Sequence, residues 1–314
     1  VYPPLWVTDG GLMSEGLFAV LTAAIVVLSY RVAARPSPQR AAGLGLAIGL
    51  AMLTRDEAVL LLFVLVLPLV VTVRHRGGRQ VALLVVSVVV ATGATVSPWV
   101  IRNLVTFQRP VLMSTDDGTL HGANCPPTYY GAGIGTWSPT CPLPGPAAHG
   151  DESVQDEAAR QAGLTYVGHH LSRLPVVVAA RVGRLWEVYQ PVRDADANGD
   201  DGRPQWANTA CLWAYAALVP IAGVGLVLLV RRGQSVLPLV AQLAAVTLTA
   251  ALVWGAVRFR VPADVVLVVF GGVALDAPGR FGVSHVRRRR SGCHERAASA
   301  RARRLSSSSS GSDM

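Results

Sequence analysis

Lysine is absent from this chain of 314 residues, and all 28 basic residues are arginine. That bias reflects a GC-rich coding sequence and says little about mechanism. Charge of either sign is scarce: 15% of residues are charged and 51% are hydrophobic, with a mean hydropathy of +0.41. A soluble domain carries about 25% charged residues, so the composition excludes an ordinary soluble domain and points to a membrane protein. A formal net charge of +9 invites a nucleic-acid partner, but nine arginines lie between Arg280 and Arg304, beyond the last apolar run. Most others border hydrophobic segments. A nucleic-acid binder needs a basic surface on a folded domain, so no nucleic acid is expected. The opening "VYPPLW" has no positive n-region and no small-residue cleavage site, so no signal peptide is read there.

What the chain does have is long apolar runs. They cover residues 12–30, 41–53, 57–73 and 81–100, then 210–230, 236–257 and 261–275. Several reach the roughly 20 residues needed to cross the hydrocarbon; 41–53, 57–73 and 261–275 are shorter. The connections "RVAARPSPQR" (31–40), "RHRGGR" (74–79), "RR" (231–232) and the tail from Arg280 are arginine-rich and lack acid before Glu295. Placing all of these in the cytoplasm makes 41–53 and 57–73 separate passes. The charged triplet Arg55-Asp56-Glu57 then becomes an outer turn. The region from Arg102 to Arg203, with eight arginines against eleven acids, also falls outside, as the positive-inside rule requires. One long helix over 41–73 would bury the triplet at about 2.5–3.5 kcal/mol per charge and reverse the arginine-rich loops, so two passes are preferred.

The expectation is an all-α polytopic membrane protein in four parts. Residues 1–100 hold the first passes, and 101–209 form an extracytoplasmic loop region of roughly 100 residues that contains helices. Residues 210–275 hold the last passes, and 276–314 form a basic, Ser-rich, disordered cytoplasmic tail whose arginines attract anionic lipids. In the loop region, Cys125 and Cys141 enclose a Gly/Pro/aromatic segment on the oxidising side, which makes a disulfide a plausible staple. Acidic residues open a helix at 151–157, and "LSRLPVVVAARVGRLWEVYQP" (171–191), with Arg173, Arg181, Arg184, Trp186 and Tyr189, reads as a helix lying at the outer membrane face. "DADANGD" (194–200) imitates a calcium loop, but position twelve is Gln205 where Glu is required, and a solvated acidic loop is preferred. His169-His170 have no ligand set at useful spacing. No metal and no cofactor is expected.

Five stretches in order carry a resemblance: "YPPLW" with "LMSEGL" (2–17), "GLAIGLAMLTRDEAVLL" (45–61), "SPWVIRNLVTFQRPVLMSTDDGTLHGANC" (97–125), "RVGRLWEVYQP" (181–191) and "VRFRVPADVVLVV" (257–269). Together they resemble the membrane portion of GT-C glycosyltransferases, in the group of dolichyl-phosphate-mannose–protein mannosyltransferases and bacterial aminoarabinose lipid A transferases. The resemblance implies a GT-C-like fold in the cytoplasmic membrane, with the large loop outside. It implies transfer of a sugar from a polyprenyl-phosphate donor to a lipid, glycan or protein acceptor on the outer face. Such chemistry needs a carboxylate at the acceptor hydroxyl and cations that hold the departing lipid phosphate.

For the donor phosphate the candidates are Arg55, Arg102, Arg258 and Arg260. Asn103, Asp117 and Asn124 would support the polar site. The acidic motif central to the family lies in the first outer loop, which places the principal catalytic acid upstream of Val1. Glu15, Glu57 and Asp116 are the substitutes within the chain, with Glu15 and Glu57 also able to position helices through ion pairs. Other readings stay open at this point. Boundary arginines can be anchors that snorkel, and the chain can be a transporter or flippase of lipid-linked glycans, or a non-catalytic membrane subunit.

Overall fold

The computed structural model describes residues 2–5, 14–108, 117–141, 152–197 and 204–277. Asp116, the end of the calcium-like stretch and the arginine-rich tail lie outside the described residues, and the side chain of Asp117 is likewise not described.

The apolar runs become helices whose ends are set by local chemistry. Helix α1 spans Ser14–Ala34, α2 Pro38–Thr54, α3 Asp56–Val73 and α4 Gly78–Phe107. Ser37 caps α2 by accepting from the Arg40 N–H, and Pro38 occupies a position where its missing N–H costs nothing. Helix α2 stops because Arg55 turns extended (φ −151°, ψ 123°), and α3 restarts at once in a 3-10 turn over Asp56–Val59. The loop region supplies α5 (Asp117–Ala123), α6 (Glu152–His169), α7 (Leu174–Leu185) and α8 (Pro191–Ala197). Then follow α9 (Gln205–Arg231), α10 (Leu237–Leu252) and α11 over 261–277. Several hydroxyls inside the passes bond back to carbonyls one turn earlier, as Ser29 does to Ile25 and Thr249 to Ala245, which satisfies them within their own helix.

The protein is an all-helical, multi-pass membrane protein. Among the described residues four helices, α1, α3, α4 and α9, are long and apolar enough to cross a membrane. Helix α4 displays Leu83, Val86, Val90, Ile101 and Val105 outward, a face suited to lipid tails. Its apolar run continues past the expected end at 100, so Arg102 and Asn103 sit within the helix. The pass expected over 236–257 ends earlier, at Leu252, because the chain then leaves the helix.

Two glycines decide how the first helices pack. A Cβ on Gly45 would lie 2.3 Å from the Val88 carbonyl oxygen, and one on Gly49 would lie 2.6 Å from Thr95 Cβ. Without side chains at these points α2 and α4 approach backbone to backbone, and Thr92 Oγ1 donates to the Gly45 carbonyl at 2.9 Å. Residue numbers rise together along this contact, so α2 and α4 run parallel. That is possible only because α3 returns the chain between them, which makes 38–54 and 56–73 two elements and places the charged triplet at their turn. The same close approach recurs where a Cβ on Gly225 of α9 would meet the Phe270 carbonyl oxygen of α11.

Alternation then sorts the loops. The arginine-rich connections gather at one end, where Val32, Ala41, Val73 and Val81 share a crevice and Tyr30 Oη donates to the Ser235 carbonyl. The start of α1, the α2–α3 turn, the end of α10 and the start of α11 meet at the other end, under the loop region.

Candidate functional site

At that second end a cavity of about 470 Å³ opens between the helix termini, a volume within the range of small-molecule sites. Its charged wall is the α2–α3 turn. Arg55 donates from Nη1 to Glu15 Oε1 at 2.8 Å and from Nε to Glu57 Oε1 at 2.5 Å, and lies over the Phe259 ring at 5.0 Å. Glu15 is 3% exposed, so this pairing ties the first turn of α1 to the turn ahead of α3. The Glu57 N–H donates to Asp56 Oδ1, which sets the 3-10 turn and places Asp56 on the cavity wall. Arg258 also lines the cavity, half-buried against the rings of Trp254 (5.0 Å) and Phe259 (5.7 Å). Among the described residues Arg258 makes no ion pair, whereas Arg55 is held by two carboxylates. Leu60, Leu120, Leu252 and Val253 supply the apolar lining beside Thr54, Thr119 and Thr249.

The roof is the loop region, and two buried arginines fasten it. Arg181 is 2% exposed; it donates to the Ala123 carbonyl (2.7 Å), Asn124 Oδ1 (2.9 Å) and the Ala251 carbonyl at the end of α10 (3.3 Å). Arg184, 1% exposed, donates to the carbonyls of Ile134 (2.7 Å) and Ala132 (2.8 Å) and pairs with Asp194. Burial pulls both guanidiniums below their ordinary value and pushes the Asp194 carboxyl up, with the Arg184–Asp194 attraction opposing it. Gly135, at φ +79°, brings its carbonyl to the Gly255 N–H at 2.8 Å, where a side chain would strike the Arg181 backbone. Cys125 and Cys141 are joined in a disulfide that closes the segment carrying Trp137, whose ring lies 6.4 Å from Trp254.

These placements revise several expectations. Helix α7, expected at the outer membrane face, turns Arg181 and Arg184 into protein, where loop carbonyls accept from them. Arg260 is withdrawn from the phosphate set: it is fully buried, paired with Glu187 (2.9 Å) and Asp264 (3.0 Å), and stacked over Tyr215 at 3.5 Å. Arg102 stands exposed on α4 between Trp99 and Phe107, donates to Asn103 Oδ1, and does not line the cavity. Asn103 and Asn124 are each 1% exposed, and Asn124 serves the roof by accepting from Tyr129 and Arg181. Of the residues singled out in the sequence, the fold brings together Glu15, Arg55, Glu57 and Arg258. Asp56 and Trp254 were missed: Asp56 shares the triplet already under scrutiny, but nothing local signals that Trp254 would face it. His170 bonds the Tyr166 carbonyl and stacks on that ring. Among the described residues no cluster of His, Cys, Asp and Glu could hold a metal ion.

Compared with protein-family models, curated proteins and solved structures, the chain matches none of them.

Proposed function

We propose that the cavity binds the phosphate head of a polyprenyl-phosphate-linked sugar and that the protein transfers the glycosyl residue to a lipid, glycan or protein acceptor. One observation carries this reading. Arg258 is a cation without a carboxylate partner among the described residues, on the wall of a mixed polar and apolar cavity at the ends of membrane-length helices. A cation in that position favours an anionic head, and the leucine and aromatic lining favours an attached chain or sugar ring.

Within this proposal Arg258 holds the phosphate and stabilises the charge that grows on it as the sugar leaves. Arg55 organises the α2–α3 turn, since two carboxylates already engage it, and assists as a secondary contact. Asp56 and Glu57 stand where an acceptor hydroxyl would need a base. The resemblance set out above, to GT-C glycosyltransferases, supports the donor class. The arginine-rich connections at the far end support a cytoplasmic position for that end, and so an outer-face position for the cavity, by the positive-inside rule.

The test uses the full chain in lipid nanodiscs with radiolabelled polyprenyl-phosphate sugars and membrane acceptors. Transfer should occur, and Arg258→Ala should weaken donor binding at least tenfold. Arg102→Ala, on the exposed face of α4, should leave binding within about twofold, the spread expected of a surface contact. Movement of labelled lipid between leaflets without any transfer, or Arg258→Ala with unchanged donor binding, would sink the proposal.

A further inference from the structure

Behind the cavity, with Arg258 as a shared wall, lies a second and much smaller one of about 40 Å³. Its lining includes Glu187, Asn208, Cys211, Arg258, Arg260 and Asp264. Three of these residues carry a buried donor with no hydrogen-bond acceptor among the described residues: Asn208 Nδ2, Arg258 Nε and Arg260 Nη2. Two of the three residues are over nine-tenths buried, Arg260 fully and Asn208 at 7% exposure. Unmet donors of this kind cost about 1–3 kcal/mol each in a dry site, and three from α9 and the 3-10 turn Val257–Arg260 converge on one space. Chance does not readily collect them there.

We infer that this space is a built water site, holding about two ordered waters that accept from the three donors. A water needs roughly 10–15 Å³ of such volume and two or more polar partners, and both conditions are met. Charge balance selects water over an anion. The Arg260 guanidinium is already paired with two carboxylates, Glu187 and Asp264, both within 3.0 Å, so the cluster at this space carries a net negative charge. A further negative charge would be left uncompensated in a buried space, whereas a neutral molecule with lone pairs satisfies every donor. The waters link the Arg260 ion cluster to Arg258, completing the hydrogen bonding of a guanidinium that also lines the large cavity. Arg258 is thereby positioned from behind by solvent.

The experiment is a crystal structure of the full chain, at a resolution that shows water, from crystals with and without bromide. One or two water peaks within about 3.2 Å of Asn208 Nδ2 and Arg260 Nη2, with no anomalous signal in bromide, are expected. An empty cavity, or a bromide peak in it, overturns the inference. The sign of a second measurement is independent of crystals. In a dry cavity Asn208→Leu would remove an unmet amide and raise the thermal midpoint; in a hydrated one it strips a water of a partner and lowers the midpoint by about 2–4 °C. An unchanged or raised midpoint overturns the inference.

Discussion

Replacing Arg181 by methionine keeps an unbranched side chain of similar reach while deleting the guanidinium that fastens the loop region to α10. Three acceptors lose their donor: the carbonyls of Ala123 and Ala251 and Asn124 Oδ1. Asn124 Oδ1 retains the Tyr129 hydroxyl at 2.9 Å, so two carbonyls are left unmet. At about 1–3 kcal/mol for each buried unmet acceptor the gross loss is about 2–6 kcal/mol. Relief from burying a guanidinium with no ion pair among the described residues offsets part of it. A net loss of about 2–4 kcal/mol is expected, concentrated in the unit over the cavity.

The Cys125–Cys141 bond reports on that unit directly. Cys125 is 2% exposed and Cys141 is part-buried with its sulfur against the Gly122 carbonyl, so local opening speeds reduction. A loss of 2–4 kcal/mol raises the open population, and therefore the reduction rate by a soluble phosphine, about 30- to 1,000-fold. The rate is read by trapping the released thiols with a maleimide. Arg181→Lys, whose single ammonium cannot span three acceptors, should fall between. A rate within threefold of the parent for Arg181→Met, in protein that still inserts and folds, would refute the view of Arg181 as the clamp.

Two further outcomes follow from the packing and the charges. Gly45→Ala should lower the thermal midpoint in detergent, because even one methyl group meets the Val88 carbonyl and overpacking costs about 1–3 kcal/mol; Gly93→Ala on α4, where a Cβ meets nothing within 4 Å, should not, and equal effects would contradict the close α2–α4 contact. Burial raises the carboxyl groups of Glu187 and Asp194 above their ordinary values even though Arg260 and Arg184 oppose it. Their stabilising contribution is therefore complete below the ordinary carboxylate range and is lost as pH rises through the raised folded values. Resistance of the disulfide to reduction, corrected for reagent ionisation, should increase as pH falls from neutral toward that range, and Asp194→Asn should flatten the slope. A decrease on acidification would mean that ion pairing outweighs burial.

Much of the architecture was legible because it rests on local properties. Apolar length, arginine-rich connections and the Arg55-Asp56-Glu57 break are properties of neighbouring residues, and each helix end near them follows from its own backbone and caps. The inward course of Arg181 and Arg184 was not legible for a physical reason: an arginine that stays at a surface and one that clamps buried carbonyls have the same neighbours in sequence. What separates them is where the acceptors lie, and for Arg181 these are 58 and 70 residues away. Arg260 was misplaced in the same way, since Asp264 one turn on was visible but Glu187 was not.

The sequence by itself determined that this is a helical membrane protein with its charged triplet at a turn and a polar region between two sets of passes. Hydrophobicity and charge act on each segment separately, before any segment meets another. Tertiary structure decided the roles of individual charges. Parallel packing of α2 and α4 through Gly45 and Gly49 placed the triplet at the end where α10 and α11 meet. There Glu15 and Glu57 took up Arg55, Glu187 and Asp264 took up Arg260, and Arg258 alone of the three was left facing a cavity without an ion-pair partner among the described residues.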